Sequence, residues 1–95
     1  MVIGACTIEL YLPGVDSLKA KRSVLKGLVA RLHKEFNVSC AELDHHDLWQ
    51  SAQLGVAVIS NDGAHVQRVL DNVVRWIEHY RPDVSVVDHT VEIIR

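Results

Sequence analysis

Cysteine, proline, glycine and aromatic side chains are all scarce in this chain, and each scarcity removes a class of protein. Two cysteines in 95 residues are too few for a disulfide scaffold. Cys6 and Cys40 lie among apolar neighbours and read as reduced, buried thiols of a cytoplasmic protein. Two prolines and five glycines exclude a low-complexity linker or a collagen-like repeat. The longest apolar run is about as long as a strand, far short of the roughly 20 residues of a membrane helix. No charged segment precedes an apolar one at the N-terminus, so no signal peptide is expected. A net charge of −2 excludes a globally basic nucleic-acid binder.

What is present is ordinary globular material. Hydrophobic residues make up 48% and charged residues 23%, too apolar for a disordered chain. Residues 1–95 read as a single domain, able to bury roughly 60–65% of its unfolded surface.

Val2 to Leu12 alternates, with Cys6, Ile8, Leu10 and Leu12 on one side and Thr7, Glu9 and Tyr11 on the other. That is a half-buried strand, closed by Pro13-Gly14. From Ser17 to Phe36 the period becomes helical. Leu18, Leu25, Leu28, Val29, Leu32 and Phe36 share a face, Asp16 or Ser17 is the cap and Asn37 the stop. Val38 to Leu43 reads as a strand, Asp44 to Ser51 as a loop, and Ala52 to Ser60 as the next strand. Asn61-Asp62-Gly63 turns into a helix over Ala64 to Tyr80, with Val66, Val69, Leu70, Val73 and Ile77 inward. Arg81-Pro82-Asp83 ends it, and Val84 to Ile94 is the last strand.

The order βαββαβ with right-handed crossovers predicts a ferredoxin-like α+β sandwich. It has an antiparallel sheet in the order 4-1-3-2 and both helices on one face. That order puts the third strand between Cys6 and Cys40, at about 10 Å, too far to bridge.

Five stretches are distinctive together: Ser17-Leu18-Lys19-Ala20-Lys21-Arg22, Phe36-Asn37-Val38-Ser39, Ala41-Glu42-Leu43-Asp44-His45, Asp47-Leu48-Trp49-Gln50 and Val58-Ile59-Ser60-Asn61-Asp62. In this order and spacing the chain resembles the bacterial YlxP family along essentially its whole length. The resemblance implies a ferredoxin-like fold, a cytoplasmic protein and a genomic setting beside translation-initiation and ribosome-maturation factors. It implies no reaction. Gly27 stands where such sequences more often carry a larger residue.

Four groups of residues bear on function. Six of the ten Lys and Arg residues lie between Ser17 and Phe36: Lys19, Lys21, Arg22, Lys26, Arg31 and Lys34. At 100° per residue Lys19, Arg22, Lys26 and His33 fall within about 60° of arc beside the core face. Cations in the first turn oppose the helix dipole unless an anion offsets them, so Lys19, Lys21, Arg22, Lys26 and His33 form a candidate phosphate site. The alternative is a solvated face with Asp16 as the anion. Ser23, Gly27 and Ala30, with Arg31 and Lys34 at their flank, point away from the core. They form either a docking ridge for a partner helix or RNA backbone, or an idle surface.

Asp44-His45-His46-Asp47 has metal-ligand residue types and shares them with the motif that names DHH phosphoesterases, whose further motifs are missing. Neighbouring residues of one loop rarely converge on one ion, so no metal is expected. The expected roles are structural, with His45 and Asp47 satisfying loop backbone and Trp49 anchoring the hairpin. Acylphosphatases share the fold but need an Arg in the first strand–helix loop, which Pro13 to Ser17 lacks. No catalytic residue and no cofactor are assigned.

The open sheet face is expected to carry Ile3, Ala5, Thr7, Glu9 and Tyr11, then Ala57 and Ile59, then Val86, Asp88, Thr90 and Glu92. Thr7 and Ala57 cannot stack bases as the aromatics of RNA-recognition motifs do. The expectation is therefore a small non-enzymatic factor that binds structured RNA or a ribosomal subunit through its basic helix. The alternative is a protein–protein or small-ligand regulatory module that forms a homodimer through Ile3, Ala5, Ala57 and Ile59. Hydrolysis of a phosphorylated metabolite is a third reading, and no membrane partner is expected.

Overall fold

The computed structural model describes residues 1–45 and 47–95. Its elements are β1 (Val2–Tyr11), α1 (Leu18–Glu35), β2 (Ser39–Asp44), β3 (Ser51–Ser60), α2 (Gly63–Tyr80) and β4 (Ser85–Ile94). The strands form one antiparallel sheet in the order β2-β3-β1-β4, which is the expected order read from the other edge. The fold is the ferredoxin-like α+β sandwich. α2 packs on β1, β3 and β4, and α1 packs on the β2 side. No helix among the described residues is long and apolar enough to cross a membrane.

Local chemistry places the element ends. Gly14 takes a φ of +83°, which glycine adopts without steric cost, and this turns the chain after β1. Ser17 caps α1 by accepting from the Ala20 amide at 3.0 Å. Asp62 caps α2 by accepting from the Ala64 amide at 3.0 Å. α1 stops earlier than its apolar period suggests. Phe36 is already extended (φ −134°) and packs partly buried against the core, so the stop is Phe36 rather than Asn37.

Two β-bulges alter the simple alternation. In β4 the register shifts opposite Glu9 and Leu10, so Leu10 pairs with Val86 while Glu9 pairs with Asp88. The extra residue sends Val86 to the helix-covered side, where it packs on the core. Val86 therefore does not belong to the open face where alternation had placed it. In β2 the register shifts between Glu42 and Asp44.

The core is built from Ile8, Leu10, Leu12, Leu25, Leu28, Leu32, Leu54, Val56, Val66, Leu70, Val73 and Ile77. β1 and α2 approach closely at Gly4. A β-carbon there would collide with Val66 Cγ1 and lie 2.9 Å from Leu70 Cδ1. Both neighbours are buried and cannot yield freely. Gly4→Ala is therefore expected to destabilise the fold by about 1–3 kcal/mol, read as a lower urea midpoint with an unchanged slope.

Cys6 and Cys40 both pair with Val56, so β3 does separate them and both are free thiols. Burial pushes the Cys40 thiol up to about 11. Burial, then the nearby Asp71 carboxylate, raises Cys6. A thiol that stays neutral in the fold stabilises it below the ordinary range near 9, and that contribution is lost as pH rises towards 11. At pH 8 the Cys40 thiolate is scarce. Alkylation by iodoacetamide in native protein should be roughly a hundredfold slower than in urea, followed by mass spectrometry. Equal rates would contradict this burial.

Candidate nucleic-acid interface

The basic helix separates into three groups once it is folded. Lys21, which sequence reading placed in the phosphate site, is 2% exposed and belongs to the core side of α1. Its Nζ donates to the backbone carbonyl of His45 and lies 3.1 Å from Glu42 Oε2. The correction has a simple cause. Lys21, Leu25, Leu28 and Leu32 are spaced four, three and four apart, so the apolar stripe itself carries Lys21 inward. That spacing was the signal available in the sequence. Glu42 was missed because it stands on the helix-facing side of an edge strand, which only the pairing reveals.

Arg31 forms the second group. Its guanidinium pairs with Glu35 at 3.1 Å and lies 5.8 Å from the ring centre of Trp76 on α2. It is turned towards the other helix. The third group is Lys19, Arg22, Lys26, His33 and Lys34, all exposed. Among the described residues no carboxylate lies within ion-pair range of Lys19, Arg22, Lys26 or Lys34.

Arg22, Lys26 and His33 line a shallow groove of about 460 Å³ between α1 and β2. Leu25, Val29, Ala30 and Ala41 give it an apolar floor, and Glu42 is its one carboxylate. The Lys21 ammonium sits on that carboxylate, so the groove keeps the positive field of the exposed cations. Along its far side β2 is the sheet edge. Arg22 and Lys26, with His33 beside them along one open groove, suit an extended polyanion better than an enclosed small molecule.

Of the proposed ridge, Ser23, Gly27 and Ala30 are exposed, and a β-carbon at Gly27 would meet nothing within 4 Å. Ala30 belongs to the groove and Arg31 to the α2 side, so the ridge is the crest between two different surfaces.

The loop after β2 is held by Lys21 together with its own residues. His45 takes a left-handed φ of 65°, its carbonyl also accepts from the Leu48 amide at 3.0 Å, and its amide donates to Asp44 Oδ1 at 2.7 Å. Its ring Nε2 lies 3.1 Å from Glu9 Oε2. Trp49, expected to anchor the hairpin, is 52% exposed. Gln50 does that work instead. Its carbonyl accepts from the Leu12 amide at 2.9 Å and its side chain donates to the Val15 carbonyl at 3.2 Å. One bond is made by the Gln50 backbone and one by its side-chain amide, so Gln50 ties the loop on both sides while the Trp49 ring stays in solvent. Asp47 is exposed, and His46 lies outside the described residues. Among the described residues no three His, Cys, Asp or Glu side chains converge as metal ligands.

On the opposite side of the sheet Ile3, Ala5, Ala57 and Ile59 occupy the uncovered face, as the alternation predicts.

Comparison with known proteins adds the following. A model of the family described as "Protein of unknown function (DUF503)" matches residues 3–91. A curated relative, "Uncharacterized protein YlxP" of Bacillus subtilis (strain 168), is 33% identical over 84 residues, covering 88% of this chain and 90% of its own. Among solved structures, the "De novo designed protein Ferredog-Diesel" aligns with a TM-score of 0.43 at 10% identity, over 98% of this chain and 84% of its own.

Removing the Lys21 amine takes the ion-pair partner from Glu42 Oε2 and the donor from the His45 carbonyl. Lys21→Ala is expected to cost about 3 kcal/mol in urea unfolding, and Lys21→Met, which keeps the packing volume, less. Lys19→Ala on the exposed flank should change stability by under about 0.5 kcal/mol. Equal effects at the two positions would refute the structural role of Lys21.

Proposed function

The chain belongs to the DUF503 family, and from its geometry we propose that it is a small non-enzymatic factor that binds structured RNA, or a ribosomal subunit, along α1. One observation carries this reading. Arg22, Lys26 and His33 line one groove beside α1, with Lys19 exposed one turn before them, while Glu42 in that groove is paired from within by Lys21. An overall charge of −2 makes the concentration meaningful, because the excess cations of α1 are balanced elsewhere. Such an arrangement gives affinity for phosphates at regular spacing and little sequence discrimination. Shape would supply selectivity, as it does for proteins that read double-stranded RNA. The genomic setting that the resemblance implies points the same way.

The test is salt-dependent binding to a structured RNA, followed by fluorescence anisotropy. Affinity should fall steeply as salt rises. Lys19→Gln, Arg22→Gln and Lys26→Gln together should flatten the log–log slope by roughly 0.9 per phosphate contact on duplex-like RNA. All three positions are exposed, so circular dichroism should be unchanged. Wild-type affinity and slope in a folded triple variant would overturn the proposal.

A further inference from the structure

The uncovered sheet face has an order that the pairing register makes explicit. Ile94, Ile3 and Ile59 stand side by side across β4, β1 and β3. Three two-residue steps along the strands, about 20 Å away, stand Asp88, Glu9, Gln53 and Asp44. Between the two rows, on the central strands β1 and β3, are only the small side chains Ala5, Thr7, Gly55 and Ala57. The β2 bulge lays Leu43 over Gly55, where a β-carbon would come within 2.7 Å of it, and this adds an apolar shoulder. The result is a trough running across the strands, with Ile94, Ile3 and Ile59 along one side, Asp88, Glu9 and Asp44 along the other, and Glu92 at its β4 end.

Two features separate this face from an ordinary surface. Ile59 is 62% exposed, Leu43 52% and Ile94 48%, a contiguous apolar patch of the kind that meets a partner. No strand of the sheet contains a Lys or Arg, while Glu9, Asp44, Asp88 and Glu92 all lie on this side. The Glu9 carboxylate is fixed in place, accepting from Gln53 Nε2 at 2.6 Å with His45 Nε2 at 3.1 Å from its other oxygen.

Charge selects the occupant. A second copy would dock about a two-fold axis lying in the interface. An axis along the strands stacks the isoleucine rows but sets the carboxylate row on its own copy, and an axis across them sets carboxylates on the partner's isoleucines. Both are unfavourable. A nucleic-acid backbone would meet the same negative row. A helix about 10–12 Å wide fits between rows about 20 Å apart. We propose that this face docks a basic amphipathic helix of a protein partner. Its apolar stripe lies on the Ala5–Ala57 floor against the isoleucine row, and its Lys and Arg flank faces Glu9 and Asp88. The site is on the opposite side of the sheet from α1 and does not depend on the RNA reading.

A displayed library of random peptides of about 20 residues, some 30 Å of helix, selected on the immobilised full chain tests this. Enriched sequences should carry apolar residues at i, i+3, i+4 and i+7 with Lys or Arg along one flank. Their binding should be lost with Ala57→Arg and with Ile59→Lys, two variants whose folding is checked separately. It should weaken roughly fivefold with Asp88→Asn plus Glu9→Gln, the pair that faces the basic flank, and persist in the α1 triple variant. Absence of enrichment, acidic or extended consensus sequences, or affinity that survives Ala57→Arg and Ile59→Lys would overturn the proposal. So would sedimentation showing a dimer of the free chain that Ala57→Arg dissolves, which would assign the face to a second copy.

Discussion

One buried ammonium group organises the half of this molecule that concerns function. Lys21 lies inside the apolar stripe of α1 and is 2% exposed, so its charge must be met locally. Glu42 meets it from β2 and the His45 carbonyl meets it from the loop beyond. The same contact therefore clamps α1 to the edge strand, holds the left-handed turn at His45, and cancels the carboxylate that would otherwise face Arg22 and Lys26. A methionine at that position would pack, but it would leave the negative charge in the groove. The pair sets the electrostatics of the groove as much as it sets stability.

The sheet then divides charge between two surfaces. α1 holds six of the ten basic residues, and the strands hold none. The strands place four carboxylates on the uncovered side. A small negative net charge thus conceals a positive flank and a negative face with one sheet between them. Cations on the flank are long and solvated, able to follow a polyanion. On the negative face the Glu9 carboxylate is fixed by Gln53 and His45, and isoleucines border the opposite side. The two proposals together assign one partner to each surface of the domain.

How far the sequence foretold this depends on the residue. Ser17 and Asp62 were legible as caps because capping is a local hydrogen bond. Ile3, Ala5, Ala57 and Ile59 were legible on the open face because a strand alternates and nothing interrupts β1 or β3. Val86 was misplaced because a bulge shifts the period by one, and no residue type in β4 announces it. Trp49 was misread because a large apolar side chain in a loop suggests an anchor. The groups that needed satisfying were backbone ones, which Gln50 could reach.

By itself the sequence determined the order of elements, the antiparallel sheet, the caps and the concentration of cations on one helix. All of these follow from periodicity and composition within short windows of chain. The four-three-four spacing marks Lys21 as inward, but only the tertiary structure decided what meets its charge, because Lys21 and Glu42 are distant in sequence and come together through sheet pairing. It also decided that the isoleucine and carboxylate rows are parallel, since a row across a sheet exists only once three strands are in register.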